Sequence, residues 1–251
     1  RDGNPNVTPE VTRQVSFTAR WQAAVLMLRD VLQLQMELST TKCSPELREI
    51  AGGAREPYRE VLKPLEMGLK DTIEMIMASQ QKEMKDGERP YDVDALPINS
   101  MRQVVEPLML MHRSLIASGQ KSLANGSLVD MIRRVRCFGV CLAPLDVRQE
   151  STRHTEALDA ITRHLGVGSY AQWDEATKQS WLLTELHGKR PLLPKGDSLG
   201  RLGFDETVQD TLRTFEMTAQ LGQEALGAYV ISMAKAPSDV LAVKLLQVLH
   251  S

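Results

Sequence analysis

The sequence predicts a mostly α-helical protein that carries βα units, on three observations. Long stretches keep apolar residues at helical spacing. Two short apolar runs, Cys137–Val147 and AYVISMA (228–234), lack a 3.6-residue period and read as buried strands. Each run is followed by a helix pattern, the first opening near Ser151 and the second near Pro237. By this pattern about two-thirds of the chain is helix, against a usual third or so. That suits a βα scaffold heavily decorated with helices, or a helical bundle.

Taken in order, RDGNPN is a Gly-Asn-Pro turn, with Thr8 as N-cap and Pro9 at the first helical position. The helix behind it runs to about Ser39, with Val15, Ala19, Leu26, Val31, Leu34 and Leu38 as its apolar positions. A short helix from Ser44 to about Ala51 ends before Gly52-Gly53. Another spans about Glu56 to Met84, where Pro64 implies a kink or break. KDGERPYDVDALP is a loop, Asn99 to Ser118 a helix, and Ser127 caps a shorter helix to about Val135. After the first strand come helices over Ser151–Leu165 and within 169–188, then a Gly- and Pro-rich loop. Helix returns over Phe204–Leu221, ahead of the second strand. The organisation is a helical segment over 1–137 and, over 138–251, two strand-helix units separated by a helical insertion.

Composition narrows the function classes. The chain has 251 residues, 42% of them hydrophobic, enough for a sizeable core. Its 30 basic and 32 acidic residues are interspersed, which argues against a nucleic-acid surface. No apolar run approaches the roughly 18 residues that span a bilayer, and no signal peptide opens the chain. Three cysteines do not make a disulfide framework, so no membrane and a cytoplasmic location are expected. The chain opens inside a turn-like segment and stops directly after an amphipathic run. It is therefore expected to be a slice of a larger protein.

The stretch VCLAPLDVRQESTRHTEAL (140–158) holds the main candidate site. Arg148 sits where a strand gives way to a helix that Glu150 or Ser151 can cap. A guanidinium beside free helix N–H groups can hold a phosphate or carboxylate. The competing reading is structural, with Arg148 pairing Asp146, Glu150 or a carbonyl. Gln149, Glu150, Ser151 and His154, one turn along the helix, are candidate supporting residues. Arg133, Arg134 and Arg136 form a basic helix end, read either as dipole compensation or as an anion-effector site. Cys137 and Cys141 read as core residues, and the five histidines show no metal-ligand spacing. The Met residues at helical apolar positions read as core filling, and Arg1, Asp2, Asn4 and Asn6 form a polar turn able to face a ligand.

Five segments carry a resemblance: RDGNPNVT (1–8), LANGSLVDMIRRVRCFGV (123–140), LDVRQESTRHTEALDAITRHLG (145–166), GKRPLLP (188–194) and AYVISMAKAPSDVLAV (228–243). In order and spacing the chain resembles phosphoenolpyruvate carboxylase of the bacterial type. The resemblance implies a Mg²⁺- or Mn²⁺-dependent lyase that carboxylates phosphoenolpyruvate with bicarbonate to oxaloacetate and phosphate. It also implies a helix-decorated (β/α)₈ TIM-type barrel, of which this chain is a fragment, and a homotetramer. In that family the Arg of the Asp-hydrophobic-Arg-Gln-Glu-Ser motif binds the substrate phosphate, a role that falls here on Arg148. Bicarbonate attacks phosphorus to give carboxyphosphate and an enolate, and a fixed guanidinium neutralises the charge that develops on the phosphoryl oxygens.

The departures are specific. The family's His-Pro-Thr motif and the Gly-Gly-Asp before RDGNP belong upstream. The metal-binding acidic residues, the catalytic Lys and the Gly-Arg-rich loop belong beyond Ser251. No catalytic or metal-ligating residue is therefore assigned within the chain, and the piece alone is expected to be inactive, with an open barrel edge. The rival readings are a helical scaffold in which Arg148 is structural, and a degenerate remnant of the enzyme.

Overall fold

A computed structural model of the chain describes residues 4, 6–86, 93–188, 191–193 and 202–249, without the side chains of residues 82–86. Arg1, Asp2 and Pro5 of the expected N-terminal turn lie outside the described residues, as do parts of the two predicted loops. Contacts divide the chain into two compact units, one of residues 14–144 and 223–225, the other of residues 1–13, 145–222 and 226–251.

The first unit is helical. Helix α1 (Pro9–Glu37) opens as its sequence demands, with Thr8 Oγ1 accepting from Val11 N at 3.2 Å. Its buried stripe runs through Phe17, Ala23, Ala24, Met27, Val31, Leu34 and Leu38, while Val15 is 48% exposed. The expected phase is wrong at that end because the stripe also holds polar residues. Arg20 is buried and donates to Asn99 O at 3.0 Å, and buried Asp30 accepts from Arg134 Nη1 at 2.7 Å. Buried polar groups need such partners.

Helix α2 (Pro45–Ile50) is capped by Ser44, whose Oγ accepts from Leu47 N at 3.3 Å. Helix α3 (Pro57–Asp86) continues through Pro64, with Leu62, Leu65 and Leu69 buried around it. Their burial outweighs the backbone hydrogen bond that proline removes. In α4 (Met101–Ala117) the start is fixed by Gln103, whose Oε1 accepts from Asn99 N and Ser100 N, each at 3.0 Å. Ser127 does not cap a helix. It lies in a π-helical turn (Ala124–Leu128) joining α5 (Lys121–Leu123) to α6 (Val129–Phe138).

Of the helix methionines read as core filling, Met27 and Met111 are buried, but Met36, Met67 and Met77 are exposed. The cysteine reading also holds in part, since Cys141 is buried and Cys137 exposed.

The second unit is built on two parallel strands, β1 (Leu145–Glu150) and β2 (Leu226–Ser232), each followed by a helix. The first strand is shorter and later than the apolar run suggested. Residues Cys137 and Phe138 stay in α6, Gly139 ends that helix at φ 56°, and Leu142 turns at φ 60°. At the other end β1 extends past Arg148 to Glu150, because Arg148, Gln149 and Glu150 pair with Val230, Ile231 and Ser232. Backbone pairing is indifferent to side-chain polarity.

Helices α7 (Ser151–His164), α8 (Glu175–His187), α9 (Glu206–Leu221) and α10 (Pro237–Leu249) pack together around Leu158, Ile161, Leu182, Leu212, Phe215 and Leu246. Tyr229 and Ile231 of β2 pack against this core. Among the described residues, no helix is long and apolar enough to cross a membrane.

The strand pairing contains one irregularity. Between the pairs Leu145↔Leu226 and Val147↔Tyr229, β1 advances two residues and β2 three. The extra residue's amide is satisfied by a side chain, since Asp146 Oδ1 accepts from Ala228 N at 2.9 Å. Glycine beside it leaves room for this bond, because a Cβ on Gly227 would stand 2.5 Å from Asp146 Oδ1 and the carboxylate would have to move. Gly227→Ala should therefore break the Asp146–Ala228 bond and destabilise the protein by about 1–3 kcal/mol. The check is thermal unfolding, where an unchanged Tm would count against this account of the strand junction.

Candidate functional site at the carboxyl ends of the paired strands

Alternation along β1 sorts its side chains onto two faces. Val147 and Gln149 are buried on the face that the helices cover, whereas Asp146 and Arg148 are exposed on the other. The Arg148 side chain is 58% exposed, and its ion pair with Asp146 is long, at 4.0 Å. A pair so exposed and so distant holds the guanidinium only weakly. Arg148 therefore keeps its donors available two residues before the carboxyl end of the strand.

The expected supporting residues divide. Glu150 occupies the N-cap position of α7 without a side-chain capping bond. Ser151 is the first helical residue rather than the cap, since the backbone is still extended at Glu150, and its Oγ donates to Met233 O at 2.9 Å. That bond ties α7 to the end of β2, where Met233 adopts the left-handed conformation at φ 57°, uncommon for a residue with a side chain. Neither Gln149 nor His154 faces the Arg148 side of the sheet. Both are buried beneath it and are joined by Tyr229, which composition and spacing did not single out. The Tyr229 hydroxyl donates to Gln149 Oε1 at 3.0 Å and lies 2.8 Å from His154 Nε2. Since the hydroxyl proton is used on Gln149, His154 Nε2 carries a proton and donates to Tyr229. Phe215 stacks on the Tyr229 ring at 5.3 Å and meets His154 edge-on at 5.9 Å.

The α10 N-terminus is already occupied by carboxylates. Asp239 Oδ2 accepts from Lys235 N and Ala236 N, and Glu175 of α8 accepts from the Ser238 backbone and hydroxyl. In the helical unit, Arg133, Arg134 and Arg136 do not act as one cluster. Arg134 pairs with buried Asp30 at 2.7 Å and Arg133 with Asp130 at 3.4 Å. Arg136 lines a cavity of about 600 Å³ with Glu46, Glu106 and Arg113 among its walls. Among the described residues, no group of three or more His, Cys, Asp or Glu could hold a metal ion. Asn4 Oδ1 accepts from Asn6 N, so within the expected N-terminal polar turn these two close a local turn.

His154 gives a pH signature. Burial pushes its pKa down from 6.5 to about 4, against a smaller opposing pull from Asp239. The native state thus resists a proton that the unfolded chain accepts. The contribution to stability is complete above pH 6.5 and is lost as pH falls towards 4, on the order of 3 kcal/mol in all. Unfolding curves for the parent and His154→Gln proteins should converge over that interval. Parallel curves would contradict a neutral buried imidazole.

The comparisons with known proteins bear on this geometry. The family model described as phosphoenolpyruvate carboxylase matches residues 1–250. The chain is 48% identical over 248 residues to a protein named phosphoenolpyruvate carboxylase from Photorhabdus laumondii, covering 98% of this chain and 27% of the relative. It is also 48% identical to the proteins of that name from Yersinia enterocolitica and Serratia proteamaculans, each match over 250 residues with the same coverage. The chain thus spans about a quarter of the length of these relatives, and it belongs to the phosphoenolpyruvate carboxylase family.

Proposed function

We propose that the polypeptide carrying this chain is a phosphoenolpyruvate carboxylase, converting phosphoenolpyruvate and bicarbonate to oxaloacetate and inorganic phosphate. In this reading β1 and β2 are two strands of a (β/α)₈ barrel. The 1–137 segment is a helical segment of the catalytic chain, and 138–251 supplies two strand-helix units with a helical insertion between them. Parallel pairing, a helix after each strand and helices packed on one face support the barrel. A cytoplasmic homotetramer using Mg²⁺ or Mn²⁺ completes the proposal. The described residues offer that cation no donor set, so the chemistry assigned to this chain is that of Arg148 alone.

The observation that carries the reading is the placement of Arg148. It lies within the family's Asp-hydrophobic-Arg-Gln-Glu-Ser motif, on the exposed face of β1, and among the described residues its ion pair is the 4.0 Å one to Asp146. There its guanidinium binds the substrate phosphate and offsets the negative charge that grows on the phosphoryl oxygens as bicarbonate attacks. In the complete polypeptide, Arg148→Ala should remove about 2–4 kcal/mol of transition-state stabilisation, a loss of about 30- to 1,000-fold in turnover. Normal phosphoenolpyruvate- and bicarbonate-dependent kinetics in that variant would leave Arg148 structural and favour the scaffold reading.

The anion-effector role expected of Arg133, Arg134 and Arg136 is best tested at Arg136, which lines the cavity, since Arg134 is held by buried Asp30 while the exposed Arg133–Asp130 pair holds its guanidinium only weakly. Arg136→Glu should alter activation by anionic effectors, measured as rate against effector concentration. An unchanged activation curve would remove the role.

A further inference from the structure

Two ties cross from β1 to β2 on either side of Arg148. Before it, Asp146 Oδ1 accepts from Ala228 N at 2.9 Å. After it, buried Gln149 accepts from the Tyr229 hydroxyl at 3.0 Å. Tyr229 is held in turn by His154 Nε2 at 2.8 Å and by the Phe215 ring stacked at 5.3 Å. The second tie is well built for holding position. Gln149 is adjacent in sequence to Arg148 and points to the opposite face, so its bond fixes the strand without occupying the space around the guanidinium. Its far end, His154, belongs to α7, the helix that begins directly after β1. Among the described residues, buried Nδ1 of His154 has no hydrogen-bond partner, and the ring's polar contact is the Tyr229 hydroxyl. A buried ring that leaves one nitrogen unsatisfied meets a cost that the fold retains along with this contact.

We propose that Tyr229 is a positioning residue for phosphate binding: its hydroxyl bridges Gln149 and His154 and so holds the β1 backbone, and with it Arg148, at the height and angle the substrate phosphate requires. This rests on the reading of Arg148 as the phosphate-binding residue. A bidentate guanidinium is sensitive to small displacements, since two parallel N–H···O bonds must form together. Removing the bridge frees Gln149 and loosens the strand where Arg148 leaves it.

The test is a double-mutant cycle on kcat/KM for phosphoenolpyruvate in the complete polypeptide, with Tyr229→Phe, Arg148→Lys and the pair. Tyr229→Phe keeps the ring stacking and should lower kcat/KM about 5- to 20-fold, chiefly through KM for phosphoenolpyruvate, with KM for bicarbonate unchanged. In the Arg148→Lys background, where bidentate geometry is already lost, the same change should have less than a twofold effect. Gln149→Met, of similar length but unable to accept the bond, should reproduce the Tyr229→Phe result. Equal losses in both backgrounds, or a loss below twofold with Arg148 intact, would overturn the positioning role while leaving Arg148 in place. No effect of Arg148→Lys itself would instead overturn the phosphate-binding reading, and the positioning role with it.

Discussion

The second unit depends on the parallel pairing of β1 with β2. A two-stranded sheet is marginal by itself, and a parallel one lacks the tight hairpin that would close it locally. Residues some eighty positions apart must therefore be held in register by side chains. Asp146 and Tyr229 do this on opposite faces, one bonding a backbone amide that the register irregularity would leave unpaired, the other spanning two elements beneath the sheet. Apolar packing of α7, α9 and α10 supplies the bulk of the stabilisation, but it is non-directional and does not by itself select one register.

This arrangement separates two tasks that strand geometry keeps on opposite faces. Under the sheet, Gln149, Tyr229 and His154 form a polar chain in which burial holds the imidazole neutral. On the other face, Asp146 and Arg148 keep charge exposed. The alternation places a buried amide and an exposed guanidinium at consecutive positions, and the proposed positioning role of Tyr229 would link them through backbone geometry and not by contact.

Much of this was legible in the sequence, and the failures have physical causes. Thr8, Ser44 and Pro237 marked helix starts because capping and proline chemistry are local. The helix behind Arg148 was legible for the same reason, whereas the strand before it was misplaced. The apolar texture of residues 137–144 belongs to a helix end and turns, and the paired residues Arg148–Glu150 are polar. A strand whose hydrogen bonds come from a distant partner leaves no local signal of its limits. Val15 was assigned to the core of α1 because Arg20 and Asp30, which share its true buried stripe, look like surface residues until their partners Asn99 and Arg134 are known. Tyr229 escaped notice for a related reason. An aromatic on a strand reads as packing, and its polar role appears only once Gln149 and His154 are brought to it. In the basic trio near the end of α6, adjacency in sequence could not show that the fold gives the three guanidinium groups different surroundings.

The most direct test of the central claim is a structure of the complete polypeptide with phosphoenolpyruvate bound. The account predicts the substrate phosphate over the exposed face of β1, with Arg148 donating two hydrogen bonds to its oxygens at about 2.7–2.9 Å. A phosphate bound elsewhere, with Arg148 still turned to Asp146, would contradict it.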